Sequence, residues 1–173
     1  LIPVLAGIVA SNTELKVLYA THEPHDSEIE RIQNQFSNHG FESSVFRKKK
    51  SLKLSEDRVA ILGVVGVLSK LYWQGQITYV GGGFSTAIHN VMEPAIAPLP
   101  VLYGPKYTHA HEAEELLENG GGFCIHDGHE FRTVLERLIT DDDHFLKASF
   151  AATNVIHKNL GSSTRIIRSL IRD

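Results

Sequence analysis

The sequence predicts an α/β fold, a Rossmann-like parallel sheet of about six strands with helices on both faces. Two observations predict it. Short apolar runs alternate with stretches of helical period along the chain, and the connections between them are short. The polar clusters "THEPHD", "GGGFST" and "GPKYTH" each follow a strand-like run directly. In a parallel sheet they would lie along the edge formed by the carboxyl ends of the strands, where ligands collect.

Each element has its own signal. "LIPVLAGIVAS" is apolar without a basic leader and too short to span a bilayer, so it reads as a buried opening helix. "KVLYA", residues 16–20, is a first strand. Ser27-x-x-Glu30 has capping-box spacing ahead of Ile29, Ile32 and Phe36 on one helical face, with Gly40 as the stop. "SSVF" (43–46) and "RVAIL" (58–62) are the next strands, and "VLSKLYWQG" is a short helix. "ITYV" (77–80) leads into the glycines, and Pro94 places a helix start close to Asn90. "PVLYG" (100–104) is followed by a glutamate-rich helix over about 109–118, and "GFCI" (122–125) by a helix that Asp127-x-x-Glu130 caps. In that helix Phe131, Val134, Leu135, Leu138 and Ile139 keep helical register. Helices over about 142–157 and 163–172 close the chain.

With 173 residues, 42% of them hydrophobic and 21% charged, the chain can bury a core and reads as one domain, residues 1–173. A formal net charge of -3 gives no general attraction to nucleic acid or an anionic membrane, so any phosphate site must be local. The single cysteine, Cys124, excludes an internal disulfide and a cysteine-rich zinc site. The chain opens on Leu1 rather than methionine, which suggests a piece of a longer protein.

"GGGFST" alone matches the dinucleotide fingerprint G-x-G-x-x-G poorly, because the last glycine is absent and no helix starts at once. The segment after it offers two readings. Free N–H groups at a helix start near Asn90 would face the glycines and suit a phosphate. Equally, Asn90 and Glu93 have capping-box spacing and could serve the helix alone.

The combination "YVGGGF", "IHNVMEPA" and "PVLYGP", with "THE" before and "GVLSKLY" between, resembles the carboxyl-terminal domain of the 3-deoxy-D-manno-octulosonic acid (Kdo) transferases. That family has the two-domain glycosyltransferase B architecture. The resemblance runs from about Thr21 to Ile125. It implies a domain that binds CMP-Kdo, in an enzyme that transfers Kdo to a lipid A precursor in lipopolysaccharide synthesis. It further implies peripheral contact with the cytoplasmic face of the inner membrane for the whole protein, a soluble fragment, and no metal or other cofactor.

Carried over by residue, Gly81, Gly82, Gly83, Phe84, Ser85 and Thr86 would line the donor pocket, and Glu93 would hold the ribose hydroxyls. His89 and Asn90 would sit near the phosphate or sugar acid, faced by Thr21, His22 and Glu23. Gly66, Val67, Leu68 and Ser69 would pass beside the cytosine. No nucleophile and base pair stands out in the chain. The resemblance places the general base in an amino-terminal acceptor domain that this chain does not match, while fixed N–H dipoles near Asn90 would steady the departing phosphate. Three departures stand out: Ala87 where a glycine is usual, Ala97-Pro98 for a residue-glycine pair, and Gly63 for a frequent aspartate. Two other classes compete: another glycosyltransferase B enzyme such as a UDP-sugar epimerase, or a non-catalytic nucleotide- or protein-binding module.

Ten histidines, among them His109-x-His111-Glu112 and His126-x-x-His129, show no recognised zinc spacing, so no metal is expected. "RKKKSLK" (47–53) reads as a solvated loop, with Lys50 and Ser51 as candidates for donor phosphate and anionic headgroups as the other possible contact. Tyr72 and Trp73, at the end of a short helix, read as core.

Overall fold

The computed structural model describes residues 1–48 and 57–159. Lys50, Ser51 and the expected last helix, 163–172, lie outside the described residues. The chain forms two compact units, Leu1–Lys70 and Leu71–Asp173.

The first unit holds α1 (Ile2–Ser11), β1 (Val17–Ala20), α2 (Asp26–Ser37), β2 (Ser43–Phe46) and β3 (Val59–Leu62), and α3 (Leu68–Tyr72) begins at its end. The three strands make one parallel sheet in the order β1-β3-β2. Its centre, β3, is buried along its whole length, as the apolar run "VAIL" requires. Ile29, Ile32 and Phe36 of α2 are fully buried and pack with Val59 and Ile61. Each such side chain contributes about 1.5–3 kcal/mol on burial. The Arg58 guanidinium donates to the carbonyls of Val9 and Asn12 at the end of α1 and stacks 5.6 Å over the Phe41 ring. One cation thereby serves carbonyls that a helix end leaves without partners.

The Ser27 capping box does not form. The helix starts at Asp26, because extended His25 turns its carbonyl onto the N–H groups of Glu28 and Ile29 at 3.1 and 3.0 Å. Ser27 then falls inside the first turn, where Asp26 and Glu28 suit the helix dipole.

The second unit holds β4 (Thr78–Val80), α4 (Met92–Ile96), β5 (Val101–Tyr103), α5 (His111–Asn119), β6 (Gly122–Cys124), α6 (Gly128–Thr140) and α7 (Asp142–Asn159). Its strands form a second parallel sheet, ordered β4-β5-β6 around fully buried β5. Tyr103 has no exposed surface, and its hydroxyl donates to the Ala113 carbonyl at 2.6 Å. Burial pushes that phenol well above the usual tyrosine range. Asp127 caps α6 by accepting the Glu130 N–H at 2.8 Å, as its spacing predicts.

Among the described residues the expected single sheet of six strands is therefore corrected to two sheets of three. Both edges of β3 are taken by β1 and β2, and both edges of β5 by β4 and β6. Apolar periodicity identifies strands but not the neighbours with which they pair.

Candidate functional site

In the second unit the chain leaves β4 at Val80 and enters a turn that only glycine can make. Gly82 has φ +94°, and a Cβ there would come within 2.1 Å of the Ala87 carbonyl oxygen. The Gly82 carbonyl accepts from the N–H groups of Ser85 and Thr86, each at 3.0 Å, and the Gly81 carbonyl accepts from the His89 N–H at 3.1 Å. Ala87, in place of the usual glycine, sits at no positive φ and is accommodated without strain.

This turn is fastened to the segment that follows β5. Gly83 lies directly against Gly104, and its carbonyl accepts the Lys106 N–H at 3.0 Å. The Lys106 carbonyl accepts from Ile88 N–H at 3.3 Å, and its ammonium donates to the Ser85 carbonyl at 2.8 Å. Two strand ends of one sheet thus share a knitted loop at the carboxyl edge, with Phe84, Ser85 and Thr86 exposed on it. The loop and the "GPK" turn behind it offer backbone polar groups, hydroxyls and one cation to a ligand.

The expected helix start near Asn90 falls slightly later. Val91 is the N-cap residue of the five-residue α4, and the Asn90 side-chain oxygen accepts the Met92 N–H at 2.8 Å. One of the amides expected to face a phosphate is therefore already taken. The Asn90 side-chain amide lies 3.4 Å from an oxygen of the exposed Glu93 carboxylate. That carboxylate acts on half-buried Tyr72, whose phenol is raised chiefly by burial and then by the charge of Glu93.

The remaining expected contacts lie in the first unit. Thr21, His22 and Glu23 follow β1, and Gly66, Val67, Leu68 and Ser69 follow its parallel neighbour β3, so both groups lie at one sheet edge. Thr21 Oγ1 is shielded from solvent without a hydrogen-bond partner, Glu23 pairs with His25 at 3.1 Å, and His22 is exposed. Gly66 takes φ +75° and Val67 is buried, whereas Ser69 is exposed.

Lys106 carries part of the loop's architecture but is not among the residues assigned from sequence. The available signal was a cation directly behind a strand-end Gly-Pro pair within "GPKYTH". Among the histidines, His111 lies near Glu114 and Glu115, and His126 pairs with Glu130 at 2.9 Å. Cys124 Sγ is 3.8 Å from His126, and burial, followed by the charge of Glu130, raises its thiol. Among the described residues no group of three His, Cys, Asp or Glu side chains is placed to hold a metal ion. Trp73, read as core, is instead 63% exposed, because its short helix ends before it and turns it outward.

No family model matches the chain. It is 31% identical over 131 residues to a 3-deoxy-D-manno-octulosonic acid transferase of Aquifex aeolicus, covering 74% of this chain and 35% of that protein. A transferase of the same name from Chlamydia pneumoniae is 37% identical over 70 residues, covering 39% of this chain and 16% of its own. The chain thus spans about a third or less of these relatives. Its fold matches that of the carboxyl-terminal CMP-Kdo binding domain of WaaA from Acinetobacter baumannii, with TM-score 0.77, 17% identity, and 90% and 80% of the two chains covered. A UDP-N-acetylglucosamine 2-epimerase shares the fold at TM-score 0.58 and 17% identity, over 95% of this chain and 40% of its own. The fold matches that of carboxyl-terminal domains of the glycosyltransferase B type.

Proposed function

We propose, on the premise that this chain is a homologue of the 3-deoxy-D-manno-octulosonic acid transferases, that residues 1–173 are the donor-binding domain of such an enzyme and that the donor is CMP-Kdo. The observation that carries this reading is the loop Gly81–Thr86, held open at the carboxyl edge of a parallel sheet by its bonds to the Gly104–Lys106 turn. Such an edge is where open α/β sheets take their ligands. In this reading Glu93 holds the ribose, His89 and Asn90 lie toward the phosphate or sugar acid, and Ser85 and Thr86 offer hydroxyls to the donor. Thr21, His22, Glu23 and the segment Gly66–Ser69 are the donor contacts proposed for the first unit.

The complete enzyme would transfer Kdo to a lipid A precursor at the inner face of the cytoplasmic membrane. Its other domain would supply the general base and the acceptor surface. In this reading the complete enzyme meets the bilayer peripherally; among the described residues no helix is long and apolar enough to cross a membrane.

Calorimetric titration of the chain with CMP and with UDP tests the donor. Saturable heat with CMP and much less with UDP is expected. Preference for UDP would move the assignment to an epimerase-like domain, and no heat with either nucleotide would leave a binding module of another kind. When CMP-Kdo and a lipid A precursor are incubated with these 173 residues alone, no glycosylated lipid is expected. Transfer that is lost on changing His22, Glu23 or His89 would place the catalytic groups within this chain instead.

A further inference from the structure

From the geometry of the glycine turn we propose that Lys106 is the residue that binds the phosphate of the donor. The inference rests on the donor reading above and names a contact that neither the motifs nor the resemblance assigned.

A phosphate held outside a helix terminus needs a cation or several amides aimed at it. Lys106 is the only lysine or arginine between Leu71 and Phe131, so it is the one permanent cation that this stretch, with its two strand ends and the glycine turn, can supply. It is exposed, and its ammonium is already drawn over the loop by the 2.8 Å bond to the Ser85 carbonyl. Among the described residues no carboxylate lies within ion-pair distance of it, unlike Arg132, which is paired with Glu136 at 2.8 Å. One bond to a neutral carbonyl leaves the ammonium with two further N–H donors and an uncompensated charge. An anion beside Ser85 would satisfy both.

The architecture also makes the proposal separable from a structural role. The two backbone bonds that seat the turn, Lys106 N–H to Gly83 and Ile88 N–H to the Lys106 carbonyl, do not depend on the side chain. Lys106→Met removes the ammonium and keeps most of the aliphatic stem, so the loop should stay seated.

The test is binding of CMP and of cytidine, identical but for the phosphate, to the wild-type chain, Lys106→Met and Lys106→Arg, with thermal midpoints measured alongside. Lys106→Met should weaken CMP about tenfold or more while leaving cytidine and the thermal midpoint unchanged. Lys106→Arg should recover most of the loss, because the charge is kept. The wild-type preference for CMP over cytidine should also shrink as salt is raised. Undiminished CMP binding by Lys106→Met overturns the proposal, and so does an equal loss for both ligands, which would mark a residue that only shapes the loop. A wild-type chain that binds CMP while Lys106→Met binds it equally sinks this inference alone. A wild-type chain that binds no CMP removes the donor reading and this inference with it.

Discussion

Gly83 and Gly104 pack backbone against backbone. A Cβ on Gly83 would lie 2.7 Å from the Gly104 nitrogen and Cα, and one on Gly104 would lie 2.7 Å from the Gly83 carbonyl carbon. The missing side chains let the loop after β4 rest on the end of β5, close enough for the Lys106 N–H to reach the Gly83 carbonyl. The third glycine of "GGG" is thereby explained by contact, and the second by its positive φ.

Alanine at either position should therefore lift the loop. Gly83→Ala and Gly104→Ala are each expected to lower stability by about 1–3 kcal/mol, the usual cost of forcing atoms into a filled site. Nucleotide affinity should fall with it, since Ser85, Thr86 and Lys106 would separate. Chemical denaturation and calorimetry read the two effects. Variants with wild-type midpoints and wild-type CMP binding would show that the close packing has no consequence.

Gly63 allows a second prediction. A Cβ there would meet Ile29 Cδ1 at 3.1 Å and Val45 Cγ1 and the Phe46 carbonyl oxygen at 3.3 Å. The frequent aspartate of the resembling family would place a carboxylate beside fully buried Ile29. Gly63→Asp should destabilise the first unit by about 1–3 kcal/mol, and Gly63→Ala by less. Denaturant midpoints for the two variants decide it, and an aspartate variant as stable as the wild type would mean that β2 and α2 yield at little cost.

Acid should loosen the start of α6. The Asp127 carboxyl is lowered chiefly by the Glu130 N–H, and Glu130 chiefly by the His126 N–H and then by its imidazole. Both folded values lie below those of the unfolded chain. Their stabilisation is therefore complete above the unfolded carboxylate range, about pH 4, and is lost as pH falls through the depressed folded values. Asp127→Asn should lessen this loss of stability. Thermal midpoints of wild type and variant across pH 2–6 should converge toward the acid end. A constant gap between them would rule out the ionised cap as its source.

Much of this was legible in the residues. Amphipathic spacing placed Ile29, Ile32 and Phe36 in the core, and Asp127-x-x-Glu130 announced its cap. Strand pairing was not legible, because "VAIL" and "VLY" are apolar throughout and an unbroken apolar run carries no record of its neighbours. The Ser27 box failed because capping spacing competes with local backbone geometry, and extended His25 opened the helix first. The glycine run could be read as a loop. Its attachment to Gly104 and Lys106 could not, since that contact joins positions about twenty residues apart whose meeting depends on the pairing of β4 with β5.

Glu93 is where the structural and functional readings part most clearly. A reciprocal capping box would have its carboxylate accept the Asn90 backbone N–H. Instead it reaches the Asn90 side-chain amide at 3.4 Å, and the Met92 N–H is served by the Asn90 side-chain oxygen at 2.8 Å. The Asn90 side chain, one residue ahead of the N-cap Val91, thus serves the first amide of α4, while Glu93 stands exposed beside the turn. Asn90→Ala should cost about 1 kcal/mol of stability. Glu93→Ala should change stability by no more than about 0.5 kcal/mol. If Glu93 holds the ribose, as proposed, the same variant should bind CMP roughly 10- to 150-fold more weakly, the loss of charge-assisted hydrogen bonds worth about 1.5–3 kcal/mol. A 2′,3′-dideoxy analogue of CMP provides the complementary measurement. It should bind wild type and Glu93→Ala alike, because it lacks the hydroxyls on which the carboxylate would act. A variant with a lowered melting midpoint and undiminished CMP affinity would return Glu93 to the helix and remove it from the donor site.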